Sequence, residues 1–242
     1  GVTDFQAILE EELAARGMDY SFVATQNNTQ VSVPVEGFEM EEVFVPTKLV
    51  QLNVQDAILV RDDLAVTGTD QQHYQAAVPL GYDPFGNPIQ LLRGWLRVDV
   101  AMDGVPYHFV NTHLEIQSFT PIQVAQTNEL LNEVVDGLEG VTVMTGDFNS
   151  DAEGRPGERA WTESYGMIRD AGFQDAWSES RPRQHGPGFT CCQASDLRNE
   201  VSDLTERVDF VFLRLPAGRG PKNHIPGPVE VDIVGEEPGD RV

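Results

Sequence analysis

The spacing of apolar and polar residues predicts that the chain starts with an amphipathic helix. Residues 3–6 have the sequence Thr-Asp-Phe-Gln, which is typical of a helix-capping box. Phe5, Ile8 and Leu13 then follow at helical spacing, and Gly17 stops the pattern. We therefore expect one amphipathic helix in this region.

Extended structure is predicted for the segments that follow this helix. Residues 20–24 have the composition of a strand, and in residues 31–45 valines alternate with polar residues among prolines, which suits edge strands or extended loops. Residues 56–61 form a short apolar run that fits a buried strand. Residues 70–88 contain several glycines and prolines, which predict a surface loop.

The clearest hairpin pattern lies in the middle of the chain. Residues 95–100 alternate between apolar and polar side chains, and residues 105–110 return with a second strand pattern. Asp103 and Gly104 lie between them and form the Asp-Gly pair that favours a two-residue hairpin loop. The sequence therefore predicts two adjacent antiparallel strands.

The second half of the chain is predicted to contain two helices and three strands. A Thr-Pro pair opens a long helix over residues 120–135, and residues 141–144 follow as a buried strand. A second helix is predicted over residues 160–171, and strands over residues 207–214 and 229–234. Strands and hairpins that carry a few helices on their faces indicate an α+β layered domain.

Length and composition agree with one globular domain. A chain of 242 residues can bury one substantial core, so we expect a single domain over residues 1–242. Hydrophobic residues make up 40% of the chain, and no run reaches the roughly 18 apolar residues that cross a bilayer. The first residues show neither the basic nor the apolar region of a secretory signal.

The net charge of −23 makes long nucleic acids poor substrates, because a strongly negative protein repels polyanions at a distance. The simpler interpretation is that the acidity only keeps the protein soluble. The two cysteines, Cys191 and Cys192, are adjacent, so an ordinary unstrained disulfide between them is excluded. Two thiols and a vicinal disulfide both remain open, and the cysteines do not identify the compartment.

Three segments place polar side chains directly after apolar strand patterns. In residues 109–115, His113 follows the strand and has a side chain suited to acid or base chemistry, although many such histidines are structural. In residues 143–150, Asp147 and Asn149 lie two positions apart, so that on an extended backbone they share one side. A carboxylate and an amide there suit a hard cation or a water molecule, and the alternative is an Asx turn.

The third segment covers residues 207–212, where Asp209 interrupts the apolar residues of a strand. A carboxylate in such a position needs a partner. The partner is either a catalytic neighbour or an arginine, and Arg207 and Arg214 are the nearest arginines in the sequence.

Taken in order, these segments closely resemble the motif set of the endonuclease/exonuclease/phosphatase superfamily, whose members include deoxyribonuclease I. The resemblance rests on Asn-Thr-His-Leu-Glu at residues 111–115, Gly-Asp-Phe-Asn-Ser at residues 146–150, and Arg-Val-Asp-Phe-Val-Phe at residues 207–212. Arg-Gly-Trp at residues 93–95 is similar to the start of a family strand. The match runs from about residue 56 to residue 209, which is more than half of the chain.

The resemblance implies a four-layer α/β sandwich, in which two mostly antiparallel sheets pack face to face between helices. It also implies catalytic roles for four residues. His113 would contact the scissile phosphate and assist proton transfer, while Asp147 and Asn149 would orient and activate the attacking water. Asp209 would support the metal and phosphate site.

The same resemblance implies the ligands of the site. Arg93 and Asn111 would contact the substrate, and Asp147 and Asn149 would also touch a divalent metal, Mg²⁺ or else Mn²⁺ or Ca²⁺. Hydrolysis of a phosphate ester needs positive charge on the equatorial oxygens, which a metal supplies where the protein itself is acidic. The expected activity is thus metal-dependent hydrolysis of a phosphodiester or phosphomonoester by in-line attack of water.

The expected substrate is small or lipid-like rather than a long nucleic acid, and the expected protein is a monomer. The alternative function is a non-catalytic binding or scaffold domain that has kept the fold and lost metal ligands. Family members also carry an asparagine and a glutamate on two earlier strands and a later Ser-Asp-His segment, none of which is present in the sequence. We therefore expect the natural protein to continue at both ends, or else to be a short variant. Many bacterial relatives are secreted, which favours a secreted or periplasmic location.

Overall fold

A mixed six-stranded sheet forms the centre of the fold. The structure is a computed structural model that describes residues 3–40, 43–82, 85–180, 186–216, 230–235 and 239. The helices and strands are α1 (Phe5–Ala15), β1 (Tyr20–Met40), β2 (Val43–Arg61), β3 (Val66–His73), β4 (Val78–Tyr82), β5 (Pro88–Leu91), β6 (Gly94–Met102), β7 (Val105–His113), α2 (Thr120–Glu129), β8 (Val141–Asp147), α3 (Ser164–Asp170), β9 (Gln174–Asp175), α4 (Ala176–Glu179) and β10 (Asp209–Arg214).

The strand order in the main sheet is β3-β6-β7-β8-β10-β9. Every neighbouring pair is antiparallel except β7 and β8, which run parallel because the chain crosses back between them through α2. Two further pairs, β1 with β2 and β4 with β5, form separate hairpins. The α+β class expected from the sequence is confirmed.

The main sheet is covered on both faces, and neighbouring residues of β6 show this. Trp95 packs into a core with residues of α3 and of the π-helical turn Leu130–Val134, which continues α2. Leu96 points to the other face of the sheet and packs against β1 and β2. Both side chains are buried. Because side chains alternate across a strand, one strand serves both cores.

Several local predictions are confirmed. Asp103 and Gly104 both have positive φ angles, of 50° and 77°, as a two-residue hairpin loop requires. Residues 20–24 lie in β1, residues 56–61 in β2 and residues 141–144 in β8, and residues 120–134 are helical. The segments of residues 31–45 that are described have extended backbone within β1 and β2.

Helix α1 forms as predicted, and the Asp4 side chain caps it by accepting a hydrogen bond from the Ala7 amide at 3.1 Å. None of its residues is buried, and Phe5 is 78% exposed. The helix therefore packs only loosely against the described part of the domain. No described helix has the length and apolar character needed to span a bilayer.

Two sequence predictions are wrong, and a third differs from the structure in its bounds. Residues 70–88 are not one surface loop, because β3 runs through His73 and pairs with β6, and β4 and β5 follow as a hairpin. The polar, exposed side chains of β3 give no apolar alternation, and its order comes from backbone pairing at the edge of the sheet. The helix predicted over residues 160–171 begins only at Ser164, and residues 230–235 contain no strand, while residue 229 lies outside the described part.

Candidate active site

Three of the predicted site residues form a row across neighbouring strands. His113 of β7 pairs with Asp147 of the parallel strand β8, and Asp147 pairs with Asp209 of the antiparallel strand β10. The carboxyl ends of β7 and β8 therefore meet the amino end of β10 at one edge of the sheet. Residues that are separated by 34 and 62 positions in the sequence become lateral neighbours.

Gly146 allows β7 and β8 to approach each other at this edge. Its φ angle is 138°, and a Cβ atom at this position would lie 1.8 Å from the backbone oxygen of Thr112. Both the backbone conformation and the contact exclude a larger residue. The glycine in the Gly-Asp-Phe-Asn-Ser segment is thus required by strand packing next to the row.

His113 is neutral in this environment, and its hydrogen bonds define the tautomer. Burial and, to a smaller extent, the positive charge of Arg93 together lower the pKa of His113 to about 4. Arg93 Nη1 lies 3.0 Å from His113 Nδ1, and because a guanidinium only donates, Nδ1 is the acceptor. The imidazole hydrogen is therefore on Nε2, which faces Asp147 Oδ2 at 3.5 Å.

Arg93 is held in place by a buried carboxylate. Glu115 is fully buried, and its Oε2 lies 3.5 Å from Arg93 Nε, whose side chain is 11% exposed. A second contact of 3.5 Å joins Arg93 Nη2 to Glu115 Oε1, which also accepts a hydrogen bond from the amide of Ile116. A buried ion pair of this kind fixes the orientation of the guanidinium beside His113.

We expect the double variant Arg93→Met/Glu115→Gln to raise the pKa of His113 from about 4 towards its ordinary value. The variant removes both buried charges together, so neither carboxylate nor guanidinium remains uncompensated, while the burial of the imidazole still holds the pKa below normal. Imidazole NMR signals titrated in a chelating buffer measure the shift. Arg97→Met is the matched control, because Arg97 pairs with Asp70 and Asp99 instead. An unchanged or lower pKa of His113 in the double variant would contradict the conclusion that the charge of Arg93 lowers it.

The two carboxylates of the row resist ionisation. Burial raises the pKa of Asp147 to about 6, and the neighbouring carboxylate of Asp209 contributes to the increase. Desolvation also raises the pKa of Asp209, and a hydrogen bond with Thr190 opposes that effect. Two adjacent acids of this kind favour a shared proton or a cation between them.

Asn149 and Asn111, the two predicted asparagines, are placed differently. Asn149 directly follows the row in a left-handed conformation, with φ of 49°, and its amide donates to Asp147 Oδ1 at 2.8 Å. Its side-chain Nδ2 donates to the Leu114 oxygen at 3.0 Å. Asn111 lies one pleat further from the edge, on the same face of β7 as His113, and its Nδ2 lies 3.3 Å from the Thr145 oxygen.

Two polar residues near the site escaped the sequence analysis. Asn28 of β1 is buried and donates to Asp56 Oδ2 of β2 at 2.6 Å. Burial raises the pKa of Asp56, and the hydrogen bond from Asn28 and the charge of Arg93 act against this increase. Asp56 thus shares the electrostatic environment of Arg93. Only the register of β1 with β2 brings these two residues together, so no local sequence signal identifies them.

The two nearby arginines do not neutralise Asp209. Arg207 is buried and pairs with Asp175 at 2.6 Å and with Glu153 at 3.2 Å. Arg214 donates to the backbone oxygen of Val135 and lies over the ring of Phe173. The alternative interpretation of Asp209 as an arginine-paired structural residue is therefore not supported by the contacts of these arginines.

Asp209 and Gly146 also border a cavity of about 650 Å³. Trp177, Leu204 and Val211 contribute apolar wall to it. The adjacent Cys191 and Cys192 lie nearby along the chain, with their sulfur atoms in contact.

The donor set of the row suits a hard divalent cation in part. Magnesium is commonly bound through one or two carboxylates and keeps several water molecules, and Asp147 and Asp209 offer such oxygens side by side. Within the described residues there is no group of three or more histidine, cysteine, aspartate or glutamate side chains that could hold a metal. The row therefore fits a weakly held, largely hydrated ion rather than a closed protein cage.

Comparisons with known proteins identify the fold. No protein-family model matches the sequence, and no curated protein matches it. An endonuclease/exonuclease/phosphatase family protein from Leptotrichia buccalis C-1013-b superposes with a TM-score of 0.54 at 15% identity, covering 87% of this chain and 66% of that one. Truncated TDP2 from Caenorhabditis elegans gives 0.47 at 16% identity, covering 89% and 68%. A mannosyl-6-phosphatase from Bacteroides thetaiotaomicron VPI-5482 gives 0.48 at 14% identity, covering 87% and 76%.

The chain has the endonuclease/exonuclease/phosphatase fold. The resemblance inferred from its three motifs is thereby confirmed at the level of the fold. The chain spans just under two thirds of the length of the Leptotrichia protein, of which it covers 66%.

Proposed function

We propose that the protein is a divalent-metal-dependent phosphoesterase. The observation that carries this proposal is the row of His113, Asp147 and Asp209 across three neighbouring strands, with Arg93 in contact with His113. A neutral imidazole, two carboxylates that resist ionisation and one guanidinium are groups that can transfer protons and stabilise negative charge during hydrolysis of a phosphate ester. The substrate would be a phosphodiester or a phosphomonoester.

In this proposal each residue has a separate task. The Asp147 carboxylate suits a base that accepts a proton from the attacking water. Asn149, whose Nδ2 is bonded to Leu114, keeps Oδ1 available to orient that water or to contact the metal. The Nε2 hydrogen of His113 can be donated to a phosphoryl oxygen, and Asp209 supports the metal side of the site.

Arg93 and Asn111 are the proposed substrate contacts. Mg²⁺, or else Mn²⁺ or Ca²⁺, when bound at Asp147 and Asn149, would supply positive charge to the phosphoryl oxygens. Because the net charge of −23 repels polyanions, we propose a small or lipid-like phosphate ester rather than a long nucleic acid. We further propose one domain over residues 1–242 with the four-layer arrangement, of which the β1–β2 hairpin, the main sheet and the helices on its other face supply three layers.

A second candidate function is a binding or scaffold domain without catalytic activity. It is favoured by one observation, that the described residues contain no cluster of three or more metal-ligating side chains. Such a domain would bind phosphate compounds at Arg93 without turning them over.

Hydrolysis of bis(p-nitrophenyl) phosphate by the purified protein distinguishes the two candidates. We expect turnover that depends on Mg²⁺ or Mn²⁺, stops in excess chelator, and falls by roughly 10²- to 10⁴-fold in His113→Ala, since proton transfer by a positioned side chain contributes about that much. A folded protein without turnover in Mg²⁺, Mn²⁺ or Ca²⁺ would contradict the phosphoesterase proposal and favour the binding domain.

A further inference from the structure

Gln123 of α2 joins the two segments that carry the candidate active site. Its side chain is fully buried, and its Nε2 donates to the backbone oxygen of Glu115 at 2.6 Å and to that of Asn149 at 2.7 Å. Glu115 lies in the segment that follows β7, and Asn149 lies in the segment that follows β8. One amide group therefore links the segment of His113 with the segment of Asp147.

The orientation of this amide is fixed by its neighbours. The Ser164 hydroxyl donates to Gln123 Oε1 at 3.0 Å, and the Thr127 hydroxyl lies 2.8 Å from Ser164 Oγ and 2.9 Å from the Gln123 backbone oxygen. Ser164 and Thr127 are both fully buried. Because Oε1 is occupied as an acceptor, both hydrogens of Nε2 are directed at the two backbone oxygens.

Regular strand pairing does not extend to Asn149. The pairing of β7 with β8 ends at His113 and Asp147, and one further bond joins the Leu114 amide to the Asp147 oxygen at 3.0 Å. Beyond that point Asn149 adopts its left-handed conformation, which is sparsely populated outside glycine. The hydrogen bond from Gln123 is the contact that holds the Asn149 carbonyl from the side of the helix.

We propose that Gln123 is a positioning residue that sets the distance between the His113 segment and the Asp147–Asn149 segment. The expected effect of Gln123 on kcat rests on the proposed phosphoesterase function. Its expected effect on the position of the two segments rests on the hydrogen bonds alone. Gln123 does not reach the row itself. It acts by fixing where Asn149 and the backbone after His113 lie.

The matched pair of variants is Gln123→Met and Gln126→Met. Gln126 lies on the same helix, is also fully buried and also makes two backbone hydrogen bonds, from the Glu115 amide to its Oε1 at 2.8 Å and from its Nε2 to the Ala76 oxygen at 2.9 Å. It contacts only the first of the two site segments. Gln123→Met loses its two backbone hydrogen bonds and the one from Ser164, Gln126→Met loses two, and both keep a similar side-chain volume, so both should lower the melting temperature, Gln123→Met by somewhat more.

Only Gln123→Met should separate the two site segments. We expect kcat for bis(p-nitrophenyl) phosphate to fall by about 10- to 100-fold, with KM changed less than about twofold, because a misplacement on the order of 1 Å affects the transition state more than binding. Gln126→Met should retain kcat within about threefold. Equal losses of kcat in the two variants would show that Gln123 contributes only stability and would overturn the proposal.

A second measurement does not depend on activity. The side-chain amide of Asn149, which donates to Leu114, should exchange slowly with solvent in the wild type and in Gln126→Met, and fast in Gln123→Met. Retained protection in Gln123→Met would overturn the proposal even if kcat falls. A wild-type protein without turnover would contradict the phosphoesterase, and the exchange rates would still decide the role of Gln123. If Gln123→Met does not fold, Ser164→Ala, which removes the donor to Oε1, should show the same faster exchange.

Discussion

Asp147→Asn is expected to lower kcat for a phosphodiester by about 10³-fold. The variant keeps the size of the side chain and removes its ability to accept a proton. It also removes half of the carboxylate pair that Asp147 forms with Asp209 at the edge of the sheet. Hydrolysis of bis(p-nitrophenyl) phosphate at saturating Mg²⁺ measures the loss.

Asp99→Asn is the control for this experiment. Asp99 lies on β6 of the same sheet and contacts a histidine, His108, at 2.7 Å, but away from the edge that carries Asp147. Its side chain is 22% exposed, against 32% for that of Asp147. We expect Asp99→Asn to retain activity within about twofold, since distant sites act independently. Comparable losses of kcat in both variants would mean that removing any carboxylate from this sheet lowers activity, so the loss could not be assigned to the row of His113, Asp147 and Asp209.

Arg207→Met is expected to destabilise the protein by about 3–5 kcal/mol at neutral pH, because removing one partner of a buried ion pair leaves the other charge uncompensated. Arg207 Nη1 lies 2.6 Å from Asp175 Oδ2, and both side chains are almost fully buried. Asp175 also accepts hydrogen bonds from Tyr165 and Ser178, which cannot replace the positive charge. Urea unfolding of the wild type and the variant measures the difference.

The destabilisation should depend on pH in a defined direction. Burial alone would raise the pKa of Asp175, but the charge and hydrogen bonds of Arg207 outweigh it and hold that pKa below its ordinary value. In the wild type, the stabilisation that ionised Asp175 gains from Arg207 is present above the pKa that the carboxyl group has in the unfolded chain. It is lost as the pH falls through the pKa of Asp175 in the folded protein. Without Arg207 the pKa of Asp175 rises, so protonation at low pH removes the cost of burying an unpaired carboxylate. The difference between variant and wild type should therefore shrink as the pH is lowered from 7 towards 4.

Arg16→Met provides the comparison with an exposed ion pair. Arg16 pairs with Glu12 on α1, and the two side chains are 60% and 56% exposed. We expect a change of less than about 0.5 kcal/mol in the free energy of unfolding, since solvent screens such pairs. If Arg207→Met lowers the free energy of unfolding by no more than Arg16→Met does, or by an amount that grows as the pH falls, then the ion pair of Arg207 with Asp175 does not stabilise the fold as described.

The sequence determined the features that depend on neighbouring residues. Asp103 and Gly104 defined the hairpin loop, because few other residues tolerate two successive positive φ angles. The Thr-Pro pair at residues 120–121 marked the start of α2. Apolar runs marked β7, β8 and β10, and each of these strands has a polar residue at one end. These local rules were sufficient to select His113, Asp147 and Asp209 as candidates.

The edge strand β3 shows where local patterns fail. Its side chains are mostly exposed and polar, so nothing in its sequence alternates as a strand with one buried face does. Its order comes from hydrogen bonds with β6, whose partner residues lie between 21 and 34 positions further along the chain. The glycines and prolines in and around β4 and β5 predicted a loop, because a hairpin and a loop share those residues.

Only the tertiary structure decided how the candidate residues meet. Strand order places β10 beside β8 and β8 beside β7, and the register then aligns Asp209, Asp147 and His113 in one row. The same packing buries Glu115 against Arg93 and brings Gln123 to Asn149. The sequence names residue types at strand ends. Which ends become neighbours depends on burying both faces of a sheet at once, and that condition involves segments far apart in the chain.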